Sequence, residues 1–134
     1  IGFAYNRKGQ YDEAIKYIEQ SLTMRKLIYK DQPHPDIASS LGNIGSAYLS
    51  KCQYDKVIKY MKQSLTMLKQ IYKDQPHPDI ASSLGNIGSA YGRKGQYDEA
   101  IKYLEQSLIM LKKIYKDQPH PDIASSMCNI GSAY

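Results

Sequence analysis

The sequence predicts an all-α protein, a solenoid of antiparallel helix pairs. Three observations carry that reading. The chain repeats with a 43-residue step, seen by aligning Ile1, Ile44, Ile87 and Ile130, and residues 44–86 agree with residues 87–129 at 32 of 43 positions. Within each repeat, apolar residues return at the 3.6-residue period of a helix in two separate runs. Each pair of runs closes on the same pentapeptide, QPHPD, at residues 32–36, 75–79 and 118–122. The expected organisation is one solenoid over residues 1–134, with units 1–43, 44–86 and 87–129 and the start of a further unit at 130–134. The chain reads as a piece of a longer array, because neither end resembles a polar capping repeat.

The first helix of a unit is seen in Ile80, Leu84, Ile87 and Tyr91, which fall at i, i+4, i+7 and i+11 on one face. Ala81, Gly88 and Ala90 lie among them, and such small residues let another helix approach closely. "KGQ" at residues 94–96 ends this helix, with Gly95 as the turn residue. The second helix is longer. Tyr97, Ala100, Ile101, Leu104, Leu108, Leu111, Ile114 and Tyr115 keep the period over roughly 28 Å of helix. Asp98 and Lys102 stand at i, i+4 with the acid first, the supportive order.

The second helix is expected to run to about Lys116. Pro119 and Pro121 cannot continue it, since proline lacks the N–H and restricts its predecessor. Pro121 suits the first turn of the next helix, where Asp122 complements the helix dipole. The triplet His-Pro-Asp also resembles the loop signature of J-domain co-chaperones. That signature occurs once per domain, whereas here it recurs with every repeat, so it is read as a stop-and-restart junction. His34, His77 and His120 occur one per repeat, too far apart to share a metal, and are read as loop residues.

Composition limits the function classes. No run of 18 apolar residues is present to span a membrane, and no signal-peptide pattern opens the chain. Cys52 and Cys128 stand in unrelated contexts and read as free thiols, which fits a reducing, cytoplasmic setting. Thirteen Tyr against one Phe and no Trp make Tyr the packing aromatic. The net charge of +5 is modest. There is no nucleophile with a neighbouring base, no glycine-rich phosphate loop after a strand and no paired carboxylates in a plausible cleft. The chain is therefore read as a non-enzyme with no cofactor and no metal.

The run Leu84-x-x-Ile87-Gly88-x-x-Tyr91, then Gly95-x-Tyr97-x-x-Ala100-x-x-x-Leu104, resembles a tetratricopeptide repeat. With its long second helix and "HPDIASSL" opening, it is similar to the long-repeat subclass found in kinesin light chains. The resemblance covers the whole chain. It implies a right-handed solenoid with the first helix of each pair on the concave face, and a role in protein–protein interaction. It does not specify the partner.

Removing the packing residues from the first-type helix leaves Ser82, Gly85, Asn86, Ser89 and Arg93 toward the groove. The preceding repeat offers Ser39, Gly42, Asn43, Ser46 and Ser50, the last helix Ser125, Cys128, Asn129 and Ser132, and the first Phe3 and Arg7. Small residues leave a shallow floor. Asn43, Asn86 and Asn129 stand at equivalent points, and a carboxamide offers the donor and acceptor that complement a peptide bond. Superhelices similar to this one hold extended peptides with such an asparagine ladder. The alternative is that each Asn bonds a neighbouring helix and only tightens the stack. Chaperone-tail clamps of the same family need Lys or Arg on this face, where the present chain has Ser and Gly. Any acidic preference would come from Arg7, Arg93 and the turn residues Lys8, Lys51 and Lys94.

The middle repeat carries Lys56, Lys59 and Lys62, with Lys56 and Lys62 where its neighbours have Glu. This is read as a drifting solvated face or as a second surface for an acidic partner or anionic membrane. Nucleic acid is not expected, because the aromatic interleaving of a single-strand groove is missing. Cys52 replaces the turn glycine of Gly9 and Gly95 and is expected to be the strained joint if the turn needs positive φ. The leading expectation is a scaffold holding an extended peptide. The alternative is a self-associating or spacer solenoid within a larger protein.

Overall fold

The computed structural model describes residues 10–134, and among them every regular element is an α-helix. The helices are α1 (Tyr11–Ile28), α2 (Pro35–Ser50), α3 (Tyr54–Ile71), α4 (Pro78–Arg93), α5 (Tyr97–Ile114) and α6 (Pro121–Ala133). Long helices of the second type alternate with shorter helices of the first type, as the periodicity predicts. The helices gather into two compact units, one ending at Ile71 and one spanning Tyr72–Tyr134.

In the first unit α2 packs against both α1 and α3. Its core holds Ala14, Ile15 and Leu22 of α1, Ile37, Leu41 and Ile44 of α2, and Val57, Met61 and Leu65 of α3. In the second unit α5 packs against α4 and α6. Ile80, Leu84 and Ile87 of α4 are buried with Ala100, Leu104 and Leu111 of α5 and Ile123 of α6. Each unit repeats one buried polar tie between its second-type and first-type helices. Ser64 Oγ donates to the Ala38 carbonyl at 2.9 Å, and Ser107 Oγ donates to the Ala81 carbonyl at 2.8 Å. Gly88 has no Cβ where one would stand 2.8 Å from Leu104 Cγ, so α4 and α5 approach there as the small residues predict.

The junctions differ from the sequence expectation in two ways. First, α5 ends at Ile114, short of Lys116, and the prolines do not stop it. Lys116 and Asp117 both take positive φ, 51° and 59°, and so do Lys30 with Asp31 and Lys73 with Asp74. The left-handed pair turns the chain back, and Asp31 N–H and Asp117 N–H reach the Lys26 and Lys112 carbonyls at 2.9 Å. The prolines then bar resumption, and Pro35, Pro78 and Pro121 occupy the first turn of the next helix. Second, the histidines are more than loop residues. Each sits extended at the N-cap, where Nδ1 accepts from the N–H of the Asp two residues on, at 3.0 Å for His34 and His77 and 3.1 Å for His120. Each ring also stacks on a tyrosine of the preceding turn, with centroids 3.5 to 3.7 Å apart.

The helix-pair turns behave as the glycine-to-cysteine exchange predicts. Gly95 has φ 81°, and Cys52 is held at φ 58°.

Candidate functional site

The face left over after packing is exposed in both units. Ser39, Asn43 and Ser46 are exposed on α2, Ser82, Asn86 and Ser89 on α4, and Ser125 and Asn129 on α6. They are exposed because the alternate positions of the same helices, Ile37, Leu41 and Ile44 or Ile80, Leu84 and Ile87, turn into the cores. Phe3, Arg7 and Lys8 lie outside the described residues.

Within the second unit this face becomes a cleft of about 290 Å³ between α4, α5 and α6, close to the lower end of the ~300–1,000 Å³ typical of ligand sites. Ser82, Gly85, Asn86 and Ser89 of α4 line it together with Ser107 of α5 and Ser125 and Asn129 of α6. The structure thus brings together six of the residues the sequence places toward the groove, Ser82, Gly85, Asn86, Ser89, Ser125 and Asn129. It adds others: Pro78, Leu104, Leu111, Asp122 and Ser126 also line the cleft. Among the described residues nothing hydrogen-bonds the carboxamides of Asn86 and Asn129.

The charges around the cleft differ from a basic groove. Asp122 is the one charged side chain in its lining. Arg93 is exposed at the end of α4 and does not line it. Of the turn lysines, Lys51 pairs with Asp12 and Lys94 is also engaged. The Asp122 carboxylate is held at one oxygen by the Tyr115 hydroxyl, which donates to Oδ2 at 3.3 Å. Burial and the neighbouring carboxylate raise the Tyr115 hydroxyl pKa above its ordinary value.

The equivalent junction in the first unit carries a cation of its own. Arg25 stands on α1 where α5 has Leu111. Its Nη1 donates to the Asp36 carbonyl at 2.9 Å and to Ser40 Oγ at 2.8 Å. Tyr29 donates to Asp36 Oδ2 at 2.7 Å. That hydrogen bond first, then burial and the carboxylate's charge, raise the Tyr29 hydroxyl, with Arg25 opposing.

The three lysines of the middle repeat stand on α3 with different neighbours. The Lys56 ammonium lies 4.9 Å from the Tyr48 ring centroid and the Lys59 ammonium 5.5 Å from that of Tyr60, and these two rings stack at 5.6 Å. Lys62 faces a separate depression, shared with Lys26, Gln63 and Met67. Residues 56, 59 and 62 follow one another at steps of about 60° around α3, so they span an arc of about 120° with Lys59 in the middle. Among the described residues no group of three or more His, Cys, Asp or Glu gathers to hold a metal, and no helix is long and apolar enough to cross a membrane.

Comparison with known proteins agrees with this architecture. The family model for the tetratricopeptide repeat matches residues 1–70 and 79–134. No curated protein matches the sequence. Among solved structures, a Podosopora anserina protein described as a kinesin light chain with nearly identical TPR-like repeats is similar at 24% identity and a TM-score of 0.80. It is covered over 62% of its chain, against 99% of this one. A single-substitution variant of that protein gives 24% identity and a TM-score of 0.81, with 99% of this chain and 61% of that one covered. BtubC (BKLC) from P. vanneervenii is similar at 19% identity and a TM-score of 0.86, covering 99% of this chain and 52% of that one. The chain thus spans less than two thirds of these structures' length. At these identities the likeness shows the fold, an all-α solenoid of helical repeats.

Proposed function

Because this chain belongs to the tetratricopeptide repeat family, whose repeats generally mediate protein–protein interaction, we propose that it is a non-enzymatic scaffold that holds an extended segment of a partner protein. The segment lies on the Ser- and Asn-bearing face of a unit's first-type helices, with Asn86 and Asn129 bonding its backbone in the second unit and Asn43 offering the same carboxamide in the first. The observation that carries the reading is the cleft between α4, α5 and α6, which is lined by two carboxamides without partners among the described residues and by small side chains. Each carboxamide can donate to a peptide carbonyl and accept from a peptide N–H, so grip does not depend on the segment's side chains. The two exposed free thiols fit a reducing, cytoplasmic setting.

The test is a display selection of unstructured peptides on the 134-residue chain, run in parallel on a folded Asn43→Ala/Asn86→Ala/Asn129→Ala variant. A peptide family that binds the parent and is lost on the variant is the expected result. No binding, or binding that survives the triple change, removes the groove reading.

One observation favours a second reading, self-association. Ala124 and Met127 of α6 are exposed, at positions equivalent to Ala81 and Leu84, which α4 buries. That face suits a helix of the α5 kind, and α1 differs from α5 only at Ile18, Thr23, Arg25 and Leu27. Under this reading α1 of one copy docks on α6 of another. Sedimentation equilibrium then shows a mass that rises with concentration, and a constant monomer mass rejects it.

A further inference from the structure

We propose that the cleft between α4, α5 and α6 selects a partner segment carrying an arginine, whose guanidinium bridges the Asp122 carbonyl and the Ser126 hydroxyl. The inference rests on the groove reading above and deepens it by naming the side chain that the groove prefers.

The first unit supplies the template. There, Arg25 lays its guanidinium across the opening turn of α2 and donates to the Asp36 carbonyl and to Ser40 Oγ. In the second unit the same turn is spelled identically, with Asp122 for Asp36 and Ser126 for Ser40. The tyrosine that braces the carboxylate is also repeated, Tyr115 for Tyr29. Of the residues in that hydrogen-bonded set, one differs. Leu111 replaces Arg25, so the second unit keeps the acceptors and lacks the donor.

Three features place that vacancy inside the cleft. Leu111, Asp122 and Ser126 all line it. Ser126 is only 6% exposed, and among the described residues its hydroxyl has no hydrogen-bond partner, whereas the Ser40 hydroxyl has the guanidinium. A buried hydroxyl left unbonded is costly, so a ligand donor there gains more than it would at an exposed serine. Asp122 is the one charged side chain of the lining, and a cation is therefore favoured over an anion. Arginine fits better than lysine because its planar fork reaches two acceptors at once in the geometry Arg25 already adopts. The Leu111 side chain offers the arginine stem an apolar surface to lie on.

The experiment uses N-acetyl-arginine amide as the probe, with N-acetyl-lysine amide and N-acetyl-glycine amide as controls. Amide shifts of the intact 134-residue chain are followed by heteronuclear NMR. The expected result is a saturable shift at Asp122, Ser126 and Asn129 with the arginine probe, at least about fivefold weaker with lysine and absent with glycine. Leu111→Arg installs the guanidinium in the chain itself and is expected to fold, as the Arg25 arrangement does, and to abolish the shift. Ser126→Ala leaves the charge in place and is expected to weaken the arginine probe about tenfold. The proposal is overturned if the arginine probe gives no saturable shift, if lysine and arginine bind alike, or if binding persists in both Leu111→Arg and Ser126→Ala. Failure here is separable from failure of the groove reading. Peptides that bind the parent and are lost on the asparagine triple variant, yet show no arginine preference, leave the groove standing and remove only the arginine site.

Discussion

The imidazole of His77 lies flat on the ring of Tyr72, with 3.7 Å between centroids and 9° between planes. The stack fixes the imidazole so that Nδ1 meets the Asp79 N–H at the start of α4. The same pair recurs as Tyr29 with His34 and Tyr115 with His120. A helix N-cap is worth about 1 kcal/mol, and a stacked ring pair about 0.5–1.5 kcal/mol beyond its area.

His77→Ala removes both. We expect it to destabilise the chain by about 1–2 kcal/mol in urea unfolding. His77→Asn keeps a cap acceptor and loses the stack, and should recover about half of that loss. Equal midpoints for His77→Ala and the parent would show that the junction carries no stability.

Alkaline stability should depend on Tyr29. Its hydroxyl donates to Asp36 Oδ2, and its pKa is raised above 10.0 in the folded chain. A raised folded value means the contribution is fully present below the unfolded value of 10.0 and is lost as pH rises through the folded value. Tyr29→Phe lacks the ionisable group. The stability difference between parent and variant, read from urea midpoints at increasing pH, should shrink above pH 10.0. A difference that stays constant through that range would contradict the linkage.

Cys52 occupies a left-handed conformation that its glycine counterpart Gly95 adopts freely, at φ 58° against 81°. Cys52→Gly should stabilise the first unit by about 1 kcal/mol, and Gly95→Ala should weaken the second by a similar amount. Amide exchange gives a second readout. Faster exchange over residues 51–54 than over 94–97, reversed by Cys52→Gly, is the expected pattern, and equal rates in the parent would end the idea that this turn is the softer one.

Two glycines at equivalent positions should respond unequally to alanine. A Cβ on Gly45 would meet Met61 Cε at 2.8 Å, the free end of a flexible side chain. On Gly88 it would meet the branch carbon of Leu104 at 2.8 Å and the Ala100 carbonyl oxygen at 3.1 Å. Met61 can swing aside, whereas a branched side chain and a backbone carbonyl cannot. Gly88→Ala should cost about 1–3 kcal/mol and Gly45→Ala clearly less, by thermal or urea unfolding. Equal losses would mean that the two helix pairs are packed with the same slack.

The helices themselves were legible in the sequence. Ile80, Leu84, Ile87 and Tyr91 announce one face of α4 because helical period is a local property, and Gly95 marks the turn because positive φ is a property of one residue. The exposed Ser and Asn positions follow by subtraction once the buried face is known. The left-handed pair that turns the chain after Ile114 is not visible in the sequence, because Lys116 and Asp117 carry no obvious signal for positive φ. The capping role of the histidines is not visible in the sequence, because His is an uncommon cap and its ring is set by a tyrosine five residues away.

Sequence by itself determined the fold class, the 43-residue repeat and the residues that cannot be core. Those follow from backbone preferences and from the side-chain period along one helix. Only the tertiary structure decided which of the remaining residues meet. Asn86 and Asn129, 43 positions apart, share one cleft because α5 holds α4 and α6 on either side of it. Asp122 and Ser126 join them there, and Arg25 reaches Ser40 across 15 residues in the first unit but has no counterpart at Leu111. Charge and hydrogen bonding act over a few ångströms of space, and packing alone sets which residues come that close.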